Sequence, residues 1–346
     1  MRSLVIQTSF IGDMVLTTPL IRELARRGEV DVVATPANAG LLAHNPHVRH
    51  LYRYDKRGAH AGARGFREIV RLARAQADND TAYLAQGSMR SAALAAAAGY
   101  ADRIGFETSS GRWLYTRRFP YHRDRHHAER LWSLAGHGDG ARAPAAALKP
   151  ELFPGEAEEE QVQRLLDVNA HAGEPLLAIA PGSVWATKRW PYYAALARRL
   201  ALLGRVVVIG GGDDAPLAAA IRAETFGNAI DATGALSLLG SAALIARAAV
   251  LVTNDSAPLH LASAMDTPTV ALFGPTVPAL GFGPLATPSH VSEVAMLDCR
   301  PCDAHGPRSC PLGHWRCMRD LTVAEVLEAV EALRRPHAGG EGAEGR

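Results

Sequence analysis

Three charged side chains sit where an α/β protein does its chemistry. Asp13 lies in Phe10-Ile-Gly-Asp-Met-Val-Leu-Thr-Thr-Pro-Leu20, directly after an apolar run that reads as the first strand. Gly12 reads as the residue that allows a tight turn there. A carboxylate at such a junction can act as general base on an incoming hydroxyl, and a positive helix terminus keeps it ionised. The plainer alternative is a helix-capping Asp. Lys188 lies in Ala180-Pro-Gly-Ser-Val-Trp-Ala-Thr-Lys-Arg-Trp-Pro191, where Gly182 and Ser183 form the expected turn. The chain has three lysines (Lys56, Lys149, Lys188) among 37 basic residues, so a Lys in a glycine-turn loop is poorly explained as surface filler. With Arg189 it can reach a ligand phosphate, and a diphosphate leaving group needs cations or a metal to absorb its growing charge. Asp255 closes the run Val250-Leu-Val-Thr-Asn-Asp255, and a helical pattern follows at once. Ser256 suits an N-cap, Pro258 the first turn, and Leu259, Leu261 and Ala262 an inward face. Helix N–H groups at a strand's carboxyl end favour phosphate; an ordinary βα junction is the alternative.

The elements that must position these groups read as two α/β halves. In the first, predicted strands at 3–8, 30–35, 50–54, 81–85 and 103–106 alternate with predicted helices at 12–27, 64–77 and 88–98. In the second, predicted strands at 176–180, 205–209, 229–232, 250–253 and 269–273 repeat the alternation. Continuous runs such as Val206-Val-Val-Ile209 suit strands buried on both faces of a parallel sheet. The stretch Ala141-Arg-Ala-Pro-Ala-Ala-Ala-Leu-Lys-Pro150 reads as a linker. The expected domains are therefore residues 1–150 and 151–336, both Rossmann-like with parallel sheets facing a central cleft, and residues 337–346 as a disordered Gly/Glu-rich tail. Architecture alone does not settle function, because transferases and binding proteins share it.

At 346 residues, two domains of ordinary size are expected. A hydrophobic content of 48% with 21% charged residues describes a globular protein rather than a disordered or fibrous one. Polar residues interrupt every apolar run that could span a bilayer, and Asp13 interrupts the stretch a secretory signal would need. The expectation is a cytosolic chain. Net charge is +2, but its distribution is uneven. Arg49, Arg53, Lys56, Arg57, Arg64, Arg67, Arg71 and Arg74 are answered locally only by Asp55 and Glu68. A second basic stretch runs from Arg112 through Arg117, Arg118, Arg123 and Arg125 to Arg130, with His122, His126 and His127 interleaved. Such patches attract phosphate-bearing partners or an anionic membrane face, or are simply a solvated arginine-rich surface. No nucleic-acid module accompanies them, so no nucleic-acid partner is expected.

Two further motifs are less specific. Ile209-Gly-Gly-Gly-Asp-Asp-Ala215 fits a relaxed dinucleotide fingerprint with Asp231 at a plausible ribose distance, or a generic βα turn. The chain's four cysteines cluster as Cys299, Cys302, Cys310 and Cys317, with His305 and His314 between them. In a cytosolic protein this points to a structural zinc more than to disulfides, although the spacing matches no standard finger; a loop with free thiols is the alternative.

Taken together, Gly12-Asp-Met-Val-Leu-Thr-Thr-Pro19, Ala186-Thr-Lys-Arg-Trp-Pro191, Asn254-Asp-Ser-Ala-Pro-Leu-His260 and Leu272-Phe-Gly-Pro-Thr276 resemble the ADP-heptose:lipopolysaccharide heptosyltransferases, glycosyltransferase family 9, and most of all their heptosyltransferase II branch. Cys310-Pro-Leu-Gly-His-Trp-Arg-Cys-Met318 resembles the cysteine-rich end of many members. The resemblance implies a two-domain GT-B fold with acceptor in the first domain and ADP-heptose in the second. It implies inverting, metal-independent transfer of L-glycero-D-manno-heptose to the lipopolysaccharide inner core, with no cofactor. By motif, Asp13 is implied as the base, with Gly12 beside the acceptor. Gly182, Ser183, Thr187 and Lys188 are implied at the diphosphate, and Asp255 at the donor sugar. Ser256, Ala257 and His260 are implied at the phosphate-side helix start, and Leu236 at the adenine. Some relatives carry a Glu after the glycine-rich turn for the ribose; here Asp213, Asp214 and Ala215 occupy that region, with Asp214 the nearest substitute. Arg57, Arg64 and Arg118 are expected to hold the phosphates and acidic sugars of a lipid A–Kdo–heptose acceptor at the inner membrane face, and the protein is expected as a monomer. A sister transferase with another glycan or protein acceptor, a nucleotide-sugar epimerase or hydrolase, a dehydrogenase using the 210–215 turn, and a non-catalytic nucleotide sensor remain the competing readings.

Overall fold

The computed structural model describes residues 2–76, 80–137, 141–169 and 173–334. The tail expected at 337–346 lies outside the described residues, as does the end of the helix expected to reach Ala77. Two compact units divide the chain, Met1–Phe153 and Pro154–Arg346.

The first unit runs β1 (Arg2–Gln7), α1 (Ile11–Ala25), β2 (Glu29–Ala34), α2 (Pro36–Leu41), β3 (His50–Arg53), α3 (Gly62–Leu72), β4 (Thr81–Leu84), α4 (Met89–Ala97), β5 (Asp102–Phe106), β6 (Arg117–Phe119), α5 (His127–Ser133) and α6 (Ala145–Leu148). Its sheet has the order β3-β2-β1-β4-β5-β6, and every pairing is parallel. All six residues of β1 are buried, because helices cover both faces of a central parallel strand. Leu4, Ile6, Leu84, Leu94 and Tyr100 share one apolar cluster.

The segment expected as a linker is structured. Arg22 of α1 donates to the carbonyls of Ala147 (2.9 Å) and Lys149 (3.1 Å) and pairs with Glu151 at 2.7 Å. Leu148 is buried. One arginine thus ties the alanine-rich stretch to α1, which composition alone does not reveal. Gly12 is not in a turn either: α1 begins at Ile11 and Gly12 is its second residue.

The second unit runs α7 (Glu156–Val168), β7 (Leu176–Ala180), α8 (Tyr193–Leu200), β8 (Arg205–Val208), α9 (Ala215–Glu224), β9 (Ile230–Asp231), α10 (Leu238–Ala246), β10 (Val250–Asn254), α11 (Ala257–Met265), β11 (Thr269–Phe273), β12 (Ser289–Glu293), α12 (Arg316–Arg319) and α13 (Val323–Leu333). Its sheet order is β12-β11-β10-β7-β8-β9, again parallel throughout. Leu177, Ile179, Val206, Val252, Leu272 and Val330 belong to its main core. In both sheets the strand order reverses beside the first strand of the unit. The crevice outside the carboxyl ends at that switch point is where open α/β sheets bind ligands.

Candidate functional site

In the second unit the switch point lies between β7 and β10, and both loops that leave it carry predicted residues. After β7 the chain passes Pro181, Gly182 and Ser183 into a short 3₁₀ turn, Ala186–Lys188. The Ser183 hydroxyl accepts from the Trp185 N–H at 3.4 Å, and the Ser183 carbonyl accepts from Arg189 Nε at 2.9 Å. These bonds fold the loop back so that Lys188 turns inward. Its ammonium donates to Asp255 Oδ2 at 2.6 Å, and both residues are only 8% exposed. Thr276 Oγ1 donates to the same oxygen at 2.7 Å. A buried ammonium and carboxylate are tolerable only when paired and hydrogen-bonded, and here they are.

The sequence assigns no role to Asn254, which lies at the end of β10. Its Nδ2 donates to the Pro181 carbonyl at 2.9 Å, while its Oδ1 accepts from the Trp190 N–H and the Tyr193 hydroxyl, each at 3.2 Å. One amide therefore locks the loop after β7 to the end of β10. Tyr193 is fully enclosed, and burial pushes its phenol well above the usual value. Ser256 occupies the N-cap position of α11, but its hydroxyl does not cap the helix; it points back to the Asn254 carbonyl at 3.4 Å. The expected capping role is thus corrected. The first N–H groups of α11 stand without a side-chain acceptor from their N-cap, which suits an anionic ligand.

The glycine-rich turn after β8 lies against this loop. Asp214 Oδ2 accepts from the Gly211 N–H at 3.0 Å. A Cβ on Gly182 would meet Asp214 Oδ1 at 2.4 Å, and one on Gly210 would meet Asp214 Oδ2 at 2.7 Å. Both glycines leave room for that carboxylate to sit over the end of β7. Asp231, the other ribose candidate, accepts from the Thr233 N–H and hydroxyl at 2.9 and 2.6 Å, so it stabilises its own turn.

In the first unit Asp13 falls in the opening turn of α1, after β1. Ser9 Oγ donates to Asp13 Oδ2 at 2.5 Å, and His127 Nε2 stands 3.9 Å from Oδ1. Thr17 Oγ1 donates to the Asp13 carbonyl at 2.6 Å and accepts from Gln7 Nε2 at 3.2 Å. Lys56 Nζ donates to the Thr8 carbonyl at 2.8 Å. Partial burial, followed by the nearby charges of Arg57 and Arg90, lowers its pKa from the usual lysine value. Basic groups from the β3–α3 loop and from the starts of α4 and α5 thus lie near the carboxyl edge that carries Asp13.

Comparison with known proteins then decides the family. The profile of glycosyltransferase family 9 (heptosyltransferase) matches residues 69–315. The chain belongs to glycosyltransferase family 9. It is 30% identical to lipopolysaccharide heptosyltransferase 2 of Salmonella typhimurium, covering 96% of this chain and 98% of that protein. It is also 30% identical to lipopolysaccharide heptosyltransferase 1 of Pseudomonas aeruginosa, covering 87% and 86%. The solved structure of Escherichia coli ADP-heptose lipopolysaccharide heptosyltransferase II superimposes with a TM-score of 0.76 at 27% identity, over 96% of this chain and 98% of that one. The fold is GT-B, with one Rossmann-like sheet in each unit.

Other predicted residues of this family 9 chain take varied places. Thr187 is buried and donates to the Pro307 carbonyl at 2.5 Å, so its hydroxyl serves the loop. His260 is buried on α11, edge-on to Phe282 with centroids 6.3 Å apart. Ala257 opens α11, and Leu236 is half-buried before α10 beside Gly240. Arg57 and Arg64 are exposed. Arg118 is exposed on β6, donates to the Arg112 carbonyl at 3.1 Å and faces the Trp113 ring at 6.0 Å.

The cysteine-bearing loop abuts the Lys188 site. Arg300 donates to the carbonyls of Gly274 and of Thr276, the latter at 2.9 Å, and the Cys302 N–H donates to the Pro275 carbonyl at 2.8 Å. Sequence reading passed over Arg300, yet it fixes the loop that carries Thr276 to Asp255. All four thiols are free. Cys299 Sγ lies 3.9 Å from His314 Nε2. Among the described residues, no group of three or more His, Cys, Asp or Glu side chains is placed to hold a metal ion.

Proposed function

We propose that this chain is an inverting heptosyltransferase of the heptosyltransferase II type, moving L-glycero-D-manno-heptose from ADP-heptose onto the lipopolysaccharide inner core. The observation that carries the reading is the inward-turned Lys188 held on Asp255 at the switch point, beside the N-terminus of α11. That is a site for a nucleoside diphosphate sugar in a family whose relatives are named for heptose transfer. In this reading the second unit (Pro154–Arg346) takes the donor. Gly182, Ser183 and Lys188 lie at its diphosphate, together with the first N–H groups of α11 at Ser256 and Ala257. Asp255 holds the sugar hydroxyls, Asp214 the ribose and Leu236 the adenine. Thr187 and His260 support the loop and the helix.

The first unit (Met1–Phe153) takes the acceptor. Its hydroxyl oxygen forms the new bond to the anomeric carbon while Asp13 removes the proton. The old carbon–oxygen bond breaks on the opposite face, and its electron pair leaves on ADP. Lys188 and the helix N–H groups stabilise that growing charge, so the reaction needs no metal. Gly12, Arg57, Arg64 and Arg118 lie on the acceptor side.

We also infer peripheral contact with the inner membrane face by a monomeric enzyme. No helix among the described residues is long and apolar enough to cross a membrane. Trp113 is 69% exposed, with the Arg112 guanidinium 4.7 Å from its ring centroid. A wet tryptophan beside arginines suits an anionic interface.

The test is ADP release from ADP-heptose, with and without heptosylated Kdo–lipid A, by the native protein and Asp13→Ala. Acceptor-dependent release that the mutant loses supports the transferase and its base together. Release without acceptor favours hydrolysis or epimerisation. Donor binding without release points to another acceptor.

A further inference from the structure

We propose that His127 is a positioning residue for the Asp13 carboxylate, holding the oxygen that takes the acceptor's proton. The proposal rests on the reading of Asp13 as the base. Two elements meet at this carboxylate. From the β1–α1 loop, the Ser9 hydroxyl binds Oδ2 at 2.5 Å. From α5, His127 presents Nε2 to Oδ1 at 3.9 Å. That separation is too long for a hydrogen bond, but it is short enough to become one with a small side-chain rotation.

The placement of His127 is built into the fold. It is the first residue of α5, directly after His126, whose ring accepts from the Ala128 N–H at 3.2 Å and caps the helix. α5 packs along α1, the helix that carries Asp13, and Leu131 and Leu134 of this segment are fully buried. His127 therefore cannot drift far from Asp13 without unpacking the two helices.

The chemistry follows from the carboxylate's geometry. With Ser9 alone, the group is held at one oxygen and can still swing about its Cβ–Cγ bond. An imidazole N–H at Oδ1 closes that freedom. Oδ1 carries two lone pairs, so it can accept from His127 on one and from the acceptor hydroxyl on the other. Oδ2 is already engaged by the Ser9 hydroxyl. A base must stand at hydrogen-bond reach in the reacting pose, and a misplacement of about 1 Å costs about 10²-fold in rate. Holding Oδ1 in place thus changes turnover without touching donor binding.

A double-mutant cycle on acceptor-dependent ADP release tests this in the full-length protein. His127→Ala should lower kcat by about 10- to 100-fold, with the KM for ADP-heptose changed less than about twofold. His127→Gln, which keeps an N–H donor near the Nε2 position, should recover most of the loss. In the Asp13→Ala background, His127→Ala should cost nothing further, because His127 acts only through Asp13. ADP affinity and the melting temperature of each variant report folding, and the Gln variant serves if Ala does not fold. Unchanged turnover in folded His127→Ala, or a loss that multiplies undiminished onto Asp13→Ala, overturns the proposal. Full turnover in Asp13→Ala itself sinks the base reading instead, whatever His127 does.

Discussion

Lys188 and Asp255 meet at 2.6 Å across the switch point of the second sheet, although they are 67 positions apart in the chain. The contact joins the loop after β7 to the start of α11. It holds an ammonium in a nearly dry position beside helix N–H groups, where a cation acts more strongly on developing phosphate charge than it would in water.

Replacing Lys188 by Ala should therefore lower kcat for acceptor-dependent ADP release by about 10²- to 10³-fold. It should also lower the melting temperature, since the buried Asp255 carboxylate would lose the ammonium that neutralises it. If Lys188 supplies the charge as proposed, activity should survive exhaustive EDTA treatment. Steady-state kinetics, a thermal melt and an EDTA titration check the three claims. A folded Lys188→Ala protein at full speed would remove the residue from the mechanism.

The contact of Gly182 with Asp214 makes a second expectation. Gly182→Ala should raise the KM for ADP-heptose and destabilise the fold by about 1–3 kcal/mol, the usual range for overpacking. The added methyl would stand 2.4 Å from the Asp214 carboxylate. In the double variant with Asp214→Ala the methyl has room, so the stability loss should be smaller than the sum of the two single losses. Denaturant unfolding of the three variants decides it; simple additivity would show that the two residues do not press on each other.

Thiol reactivity should separate the cysteines by pH. Burial raises the Cys310 pKa, but the backbone N–H groups of Trp315, Leu312, His314 and Gly313 outweigh it and lower the value below that of an ordinary thiol. Burial pushes Cys317 up to about 11. A lowered pKa means more thiolate at a given pH, and thiolate is the reactive form. Iodoacetamide near neutral pH should thus label Cys310 first. Cys317 should react only as pH climbs toward its raised value or as the protein unfolds. Peptide mapping of partial alkylation gives the order, and early labelling of Cys317 would contradict it.

Membrane contact through the Trp113 patch should be electrostatic and apolar together. Trp113→Ala with Arg112→Ala should reduce co-sedimentation with vesicles rich in phosphatidylglycerol while leaving turnover on a soluble acceptor fragment unchanged within about twofold. Native binding should weaken as salt rises and should be slight on purely zwitterionic vesicles. Equal binding by the double variant would place the contact elsewhere.

Much of this protein can be read directly from its sequence. The strands β7 and β11 fall at the predicted bounds because each is a short, largely apolar run of the length that suits a strand buried on both faces. Asp13, Lys188 and Asp255 stood out because strand-to-helix junctions carry their own local signals. The edges were hidden: β6 is Arg117-Arg118-Phe119 and β12 is Ser289–Glu293, polar segments that become strands because β5 and β11 offer them backbone partners. The linker reading failed for a related reason, since Arg22 reaches the 146–149 carbonyls from a distant helix. Residue types and their junctions are local, so the sequence by itself determined the fold class, the family and which groups can do chemistry. Which groups meet is not local. Only tertiary packing decided that Lys188 rests on Asp255, that Asn254 and Arg300 brace that site, and that α5 carries His127 to Asp13, because these contacts come from the faces on which whole elements dock.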